Sequence, residues 1–312
     1  MKRTAWLTGA AIGAVLFVYA VRQAGLPQII EGIRRVGWGT LVILGIGGAR
    51  FALRAQAWRL CTPIGAPLGF RQAFAAFLAG DAVGTVTPLG LVASEPTKVL
   101  LTRHHLATRE AVSSLALENL VYAVSVVATI ALGAIVMLQT VTLPLALRTA
   151  LIAGLSAACA GTVALLVVVR YGAGAVLPRG AWRERLSSVR QELRHVSGST
   201  LARILALDAV YHALAIFEVY FTLELLLGGE SPTLGQAVIF EALNRVLTVA
   251  FKFVPFRIGV DEAFTGALAP VLAIAAAAGV TLAVVRKLRN LFWAGVGLAI
   301  LANSEFRIQN SK

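Results

Sequence analysis

The carboxylates and cations of this chain stand where water should be scarce. Arg50, Arg54, Asp81, Glu95, Lys98, Glu118, Asp208, His212, Glu241, Arg245, Asp261 and Glu262 all fall within apolar stretches. An ionisable group in hydrocarbon costs about 2.5–3.5 kcal/mol on insertion scales, so it faces a partner, a wet cavity or a ligand. Paired groups lock helices together, and that is the simpler reading for Arg50, Asp208 and Glu241. Glu95 and Glu262 are different, because each follows a helix break: Pro88 and Gly90 precede the first, Pro255 and Gly259 the second. Helix ends free backbone donors and acceptors that can hold a headgroup or an ion. The spacing therefore predicts a polar site at the two breaks, with Arg54, Lys98, Arg245 or Arg257 offsetting the charge of the two glutamates. The same carboxylates, Glu95, Asp261 or Glu262, are also candidates for a general base on a lipid substrate.

Other reactive residue types are less informative. His104 and His105 lie beside Arg103 and Arg109 with no carboxylate or cysteine spaced to complete a metal shell, and they fit a solvated loop. His212 fits a helix-facing histidine. Cys61 and Cys159 have no CxxC spacing and are expected in the core. There is no phosphate-binding glycine loop, nucleophile elbow or HExxH, and no cofactor is expected.

The elements that must position these groups follow from composition. Apolar residues make up 58% of the 312 positions and charged residues only 14%, against about 45–50% and about 25% in soluble proteins. The chain is expected to be membrane-embedded along nearly its whole length. Its net charge of +13 comes largely from arginines in short loops, without interleaved stacking aromatics. Anionic or polar lipid headgroups are thus the expected partners, and nucleic acid is not.

Six apolar runs suit a bilayer crossing of about 20 residues: Ala5 to Val21, Thr40 to Leu60, Ala111 to Leu138, Ala150 to Val169, Leu201 to Leu227 and Val280 to Ala302. Lys2 and Arg3 before the first resemble the start of a signal peptide, but no small-x-small site follows, which predicts an uncleaved helix. The regions Gln72 to Thr102 and Gly235 to Gly279 are apolar but broken by their prolines, and each is expected to form a re-entrant hairpin of two arms. Arg170, Arg179, Arg183, Arg185, Arg190 and Arg194 crowd one loop, which the positive-inside rule places in the cytoplasm. Counting crossings from that loop puts both termini in the cytoplasm too, and Gly228 to Thr233 outside.

The chain also resembles itself. IRRVGWGTL from Ile33 matches LRHVSGSTL from Leu193; TPLGLVASEP from Thr87 faces VPFRIGVDEA from Val254; LENLVYA from Leu117 faces LRNLFWA from Leu288. The order is preserved. An odd number of crossings between the two starts would invert the second copy, as in many alternating-access transporters. The helices leading each unit, around Ile29 to Val36 and Trp182 to Val196, have apolar residues at helical spacing and should lie along the membrane surface. The expected fold is an all-α integral membrane protein. It is one transmembrane domain over residues 1–312, an inverted-repeat helical bundle with about six transmembrane helices and two re-entrant hairpins, its repeats at about 27–138 and about 187–302.

The stretches GDAVGTVTPLGLVASEPTKVLL, RVLTVAFKFVPFRIGVDEA and RKLRNLFWAG resemble the transmembrane region of the lysylphosphatidylglycerol synthase family, the flippase-like domain. The likeness runs from about Gly32 to Ala302. It implies a lipid flippase or lipid-handling protein of the bacterial inner membrane, expected to stand without the aminoacyl-transferase domain of fused members. A separate lipid-modifying enzyme, of a hopanoid or glycolipid pathway for example, is then an expected partner. Carried over by motif, the polar hairpin positions are Thr87, Pro88, Gly90, Ser94 and Glu95, with Pro255, Gly259 and Glu262 in the second half. Phe256 and Arg257 replace the usual glycine-rich form of the second break.

Overall fold

The computed structural model describes residues 17–63, 65–87, 90–171, 190, 196–251 and 254–310. Among these residues all regular structure is helical. Most of the first apolar run, Pro88, the arginine-rich loop and most of the second leading helix lie outside them; residues 17–24 are helical.

Gly25, at φ 82°, ends that first stretch, and Pro27 opens α1, Leu26–Val36. A proline in the first turn loses nothing, since its missing N–H would have had no helical partner. α1 is amphipathic as expected. Ile29, Gly32 and Val36 are buried, whereas Glu31 and Arg35 pair on the exposed face. Gly37, with φ 41°, then allows the chain to turn by 76° into α2, Gly39–Cys61.

The rest of the chain falls into two runs of matching helix lengths. α2 (23 residues) is followed by α3, Phe70–Val86 (17), α4, Gly90–Thr102 (13), and α5, Thr108–Thr140 (33). α6, Leu145–Tyr171, leads on. Then come α7, Gly198–Leu227 (30), α8, Leu234–Ala250 (17), α9, Val260–Val271 (12), and α10, Ala276–Asn310 (35). Both proline-broken regions are thus a longer arm followed by a shorter one. The second region ends sooner than the sequence suggested: a turn around Ala273, at φ 57°, starts α10 at Ala276.

Packing crosses between the runs. α2 lies against α7, α3 against α10, and α5 against α8. Glycines make the last two approaches close. A Cβ at Gly297 of α10 would fall 2.5 Å from the Leu78 carbonyl oxygen of α3, and one at Gly133 of α5 would overlap the side chain of Ala242 of α8. The largest apolar cluster, with Ile43, Leu223, Phe240 and Leu282, joins α2, α7, α8 and α10.

Of the described helices, α5, α6 through Val169, and α7 are long and apolar enough to cross a bilayer, and the bent pair α1–α2 makes a fourth. Of the six runs expected to cross, the first lies mostly outside the described residues, four correspond to these helices, and Val280 to Ala302 falls within α10, which is not apolar enough by this measure. α10 contains Arg286, Lys287 and Arg289 within one turn, and α2 contains Arg50, Arg54 and Arg59, so neither is apolar along its length. α6 is the outermost span, exposed along most of its length. Cys159 sits on it and is exposed; only Cys61 is buried, which corrects the expectation of two core cysteines. α6 packs chiefly on α5, with Val169 near its end reaching the cluster of Ala57, Cys61 and Ile204.

Candidate polar site

The charges carried by α2 and α10 are buried and matched. Arg54 forks onto Glu118 of α5 at 2.8 and 2.9 Å. Its guanidinium also lies 3.4 Å from the centre of the Tyr122 ring. One turn earlier on α2, Arg50 donates to Glu218 of α7 at 3.1 Å and to the Tyr211 hydroxyl at 3.1 Å. Arg289 of α10 reaches the same Glu218. On α8, Glu241 is bridged by Arg245, one turn on, and by Arg286 of α10.

Two tyrosines join these pairs into one network. The Tyr122 hydroxyl accepts from Arg245 at 3.0 Å and donates to Tyr211 at 3.4 Å. The chain of contacts thus runs from Glu118 through Arg54, Tyr122 and Arg245 to Glu241, and through Tyr211 and Arg50 to Glu218. Five helices contribute. Low dielectric strengthens each contact and makes an unpaired member costly.

The two breaks carry their own pairs. At the first, the Thr87 hydroxyl caps the Val83 carbonyl at 2.7 Å, and a Cβ on Gly90 would fall 2.6 Å from the Gly84 carbonyl oxygen, so α3 and α4 pack backbone to backbone. Ser94 is buried beneath them. Glu95 meets Lys98 at 2.8 Å, one turn on, and Lys98 lies 4.0 Å from the Phe77 ring centre. Pro88 is outside the described residues.

At the second break Pro255 opens a 3-10 turn, Pro255–Arg257, that packs against α3. Phe256 and Arg257 have positive φ (52° and 48°), followed by Gly259 at 81°. Two consecutive non-glycine residues in this region are strained and need support from outside. Lys287 of α10 supplies it, donating to the Arg257 carbonyl at 3.2 Å and to Glu262 at 2.7 Å. Glu262 in turn accepts the Gly259 N–H at 2.8 Å, a helix cap. Arg257 pairs with Asp261 at 3.4 Å and bonds Thr248.

Arg54, Lys98, Arg245 and Arg257 each meet a carboxylate, but only Lys98 meets one of the two glutamates singled out by sequence. Glu262 is fully buried, and its cation is Lys287; Glu95 keeps a quarter of its side chain exposed. Glu95 Oε2 and Asp261 Oδ1 are buried without hydrogen-bond partners among the described residues. Sequence reasoning missed Glu218, Tyr122, Tyr211, Arg286, Lys287 and Arg289. Arg286, Lys287 and Arg289 lie in the RKLRNLFWAG stretch, where three cations within four residues of an apolar run were the available signal.

Beside the network, Ser125 of α5 and His212 of α7 touch at 3.0 Å. The Ser125 hydroxyl also lies 2.7 Å from the Tyr122 carbonyl, to which it can donate. An apolar groove of about 200 Å³ between α1, α2 and α10, lined by Ile33, Val36, Leu288 and Phe292, ends on Arg289.

A family model described as the lysylphosphatidylglycerol synthase TM region matches residues 6–298. No curated protein and no solved structure matches the chain.

Proposed function

The chain belongs to the lysylphosphatidylglycerol synthase transmembrane-region family, and on that premise we propose that it moves or presents a polar, aminoacylated or glycosylated lipid across the bacterial inner membrane. The observation that carries this reading is the buried charge network at the seam between the two helix runs. Eight cations there and at the breaks meet six carboxylates, so Glu218 and Glu241 each serve two arginines. A bundle that needed only stability would be as well served by apolar contacts. A paired set with cations in excess suits an anionic phosphate, and the open oxygens of Glu95 and Asp261 suit headgroup amines or hydroxyls. The groove ending on Arg289 gives acyl chains a place beside the network.

The two runs are read as inverted repeats, each with a re-entrant hairpin. Their matched helix lengths support this, as do the crossed packings of α3 on α10 and α5 on α8. So does a reversal of charge: Arg54 of α2 pairs with Glu118 of α5 in the first run, and Glu218 of α7 pairs with Arg289 of α10 in the second. Both termini are placed in the cytoplasm on the loop charges, and a separate lipid-modifying enzyme would supply the lipid. Leaflet-resolved lipid analysis of cells lacking the chain tests the reading. A polar lipid should accumulate in the cytoplasmic leaflet, and an unchanged leaflet distribution of every polar lipid contradicts it.

A further inference from the structure

Asp81 stands on α3, the first arm of the first break, and joins no hydrogen bond or ion pair among the described residues. It lies about 16 Å along the helix from Phe70, well inside the apolar region. Leu78, Ala79, Gly80 and Ala82 on either side of it are buried, yet Asp81 itself is exposed. A carboxylate open to hydrocarbon is costly, so this exposure marks a water-accessible crevice within the bundle.

Helix geometry fixes the surround of that crevice. Residues four apart on a helix are neighbours, which puts Asp81 one turn on from Phe77. The Phe77 ring carries the Arg54 guanidinium at 5.4 Å and the Lys98 ammonium at 4.0 Å from its centre. Lys98 of α4, Arg54 and Arg50 of α2 and Arg289 of α10 are the charged groups that face Asp81. All four already hold another carboxylate: Lys98 holds Glu95, Arg54 holds Glu118, and Arg50 and Arg289 share Glu218. Asp81 is therefore the fourth carboxylate against four cations, and it brings the group to neutrality. A headgroup with net charge disturbs that balance, whereas one carrying a single phosphate and a single ammonium does not. Arg289 sets the order of the parts. It closes the apolar groove lined by Ile33, Val36, Leu288 and Phe292, and it also faces Asp81. Acyl chain, phosphate and ammonium then follow one another along the groove, Arg289 and Asp81.

We propose that Asp81 is the subsite for a primary ammonium, and that the crevice selects a net-neutral aminophospholipid of the phosphatidylethanolamine kind, with its phosphate on Arg289. Selection during transport rests on the lipid-moving reading above; binding at Asp81 does not. The carboxylate of Asp81 has no competing donor among the described residues, and a primary ammonium brings three N–H groups to it. Hydrogen bonds between ionised groups are the stronger kind. Phosphatidylglycerol offers the phosphate without an ammonium, and phosphatidylcholine offers an ammonium with no N–H to give.

Two measurements on the full chain separate binding from movement. Native mass spectrometry, with phosphatidylethanolamine, phosphatidylglycerol and phosphatidylcholine of identical acyl chains, reads the affinities. The wild type should bind phosphatidylethanolamine about tenfold more tightly than the other two, and Asp81→Asn should remove that advantage by weakening phosphatidylethanolamine. A carboxylate that acted only as a counter-ion would leave phosphatidylethanolamine unchanged in Asp81→Asn and strengthen phosphatidylglycerol. That pattern, or equal binding of the three lipids by the wild type, overturns the subsite. Soluble phosphoethanolamine at the concentration of the lipid should leave bound phosphatidylethanolamine in place; displacement assigns the site to a soluble ligand and overturns the lipid. The second measurement uses proteoliposomes holding acyl-labelled phosphatidylethanolamine or phosphatidylglycerol. The wild type should move phosphatidylethanolamine faster, and Asp81→Asn should slow it to the rate of phosphatidylglycerol per folded molecule. Movement of neither lipid overturns the transport reading, while the binding ratios still decide the subsite.

Discussion

Glu241 shows what a buried residue costs when its partners outnumber it. It is fully buried and bridged by Arg245 and Arg286. Glu241→Ala leaves two arginines without a carboxylate, which should destabilise the protein by about 3–5 kcal/mol. The expected result is a lower unfolding temperature and less folded protein in the membrane, and an unchanged unfolding temperature contradicts this account of the network. Glu95 should behave differently. It is partly exposed and meets one lysine, itself buried, so Glu95→Gln, which keeps an acceptor for Lys98, is expected to cost less stability than Glu241→Ala while slowing lipid movement per folded molecule. Normal movement removes Glu95 from the site. Glu262→Gln should lose both stability and movement, since Glu262 caps Gly259 and holds Lys287. These differences were not legible in sequence, where Glu95 and Glu262 looked equivalent. Local pairs were legible in principle: Glu95 and Lys98, Glu241 and Arg245, and Arg257 and Asp261 stand one turn apart. Pairs such as Arg50 with Glu218 join distant helices, and no spacing announces them.

At the scale of elements, prolines and glycines were the most reliable signals. The break at Thr87 to Gly90 and the break at Pro255 to Gly259 fall where such residues predicted them, whereas the sharp entry to α2 at Gly37 was not foreseen. Hydropathy was less reliable, because α2 and α10 hide their charges in contacts with other helices and so read as ordinary spans interrupted by arginines. Close packing at glycine was expected at Gly45, Gly47 and Gly48, and Gly47 and Gly48 do meet Trp293; that at Gly133 and Gly297 was visible only in three dimensions. Gly297→Val should push α10 off α3, where an added Cβ would fall 2.5 Å from the Leu78 carbonyl oxygen. Overpacking of this kind costs about 1–3 kcal/mol; thermal unfolding checks it, and a variant as stable as the wild type contradicts the packing. Topology is tested with single cysteines in a background lacking Cys61 and Cys159. An impermeant maleimide added outside should label a cysteine at Ser231 and spare one at Ser187, and the reverse pattern overturns the orientation.

For the whole molecule the proposal is that two inverted halves enclose a charged seam through which a headgroup passes while acyl chains stay in the bilayer. The halves from about residue 27 to 138 and about 187 to 302 should superpose by a rotation about an axis in the membrane plane, and an experimental structure with both hairpins opening to one side contradicts it. The most direct test of the central claim is lipid movement by the purified chain. Liposomes carrying a headgroup-labelled fluorescent phosphatidylglycerol are reconstituted with the wild-type protein and treated with dithionite, which bleaches only label in the outer leaflet. The account predicts that the inner-leaflet pool is also bleached, by a fraction that rises with the number of protein molecules per vesicle. An inner-leaflet pool protected as fully as in protein-free liposomes, with the protein shown to be folded, would contradict it.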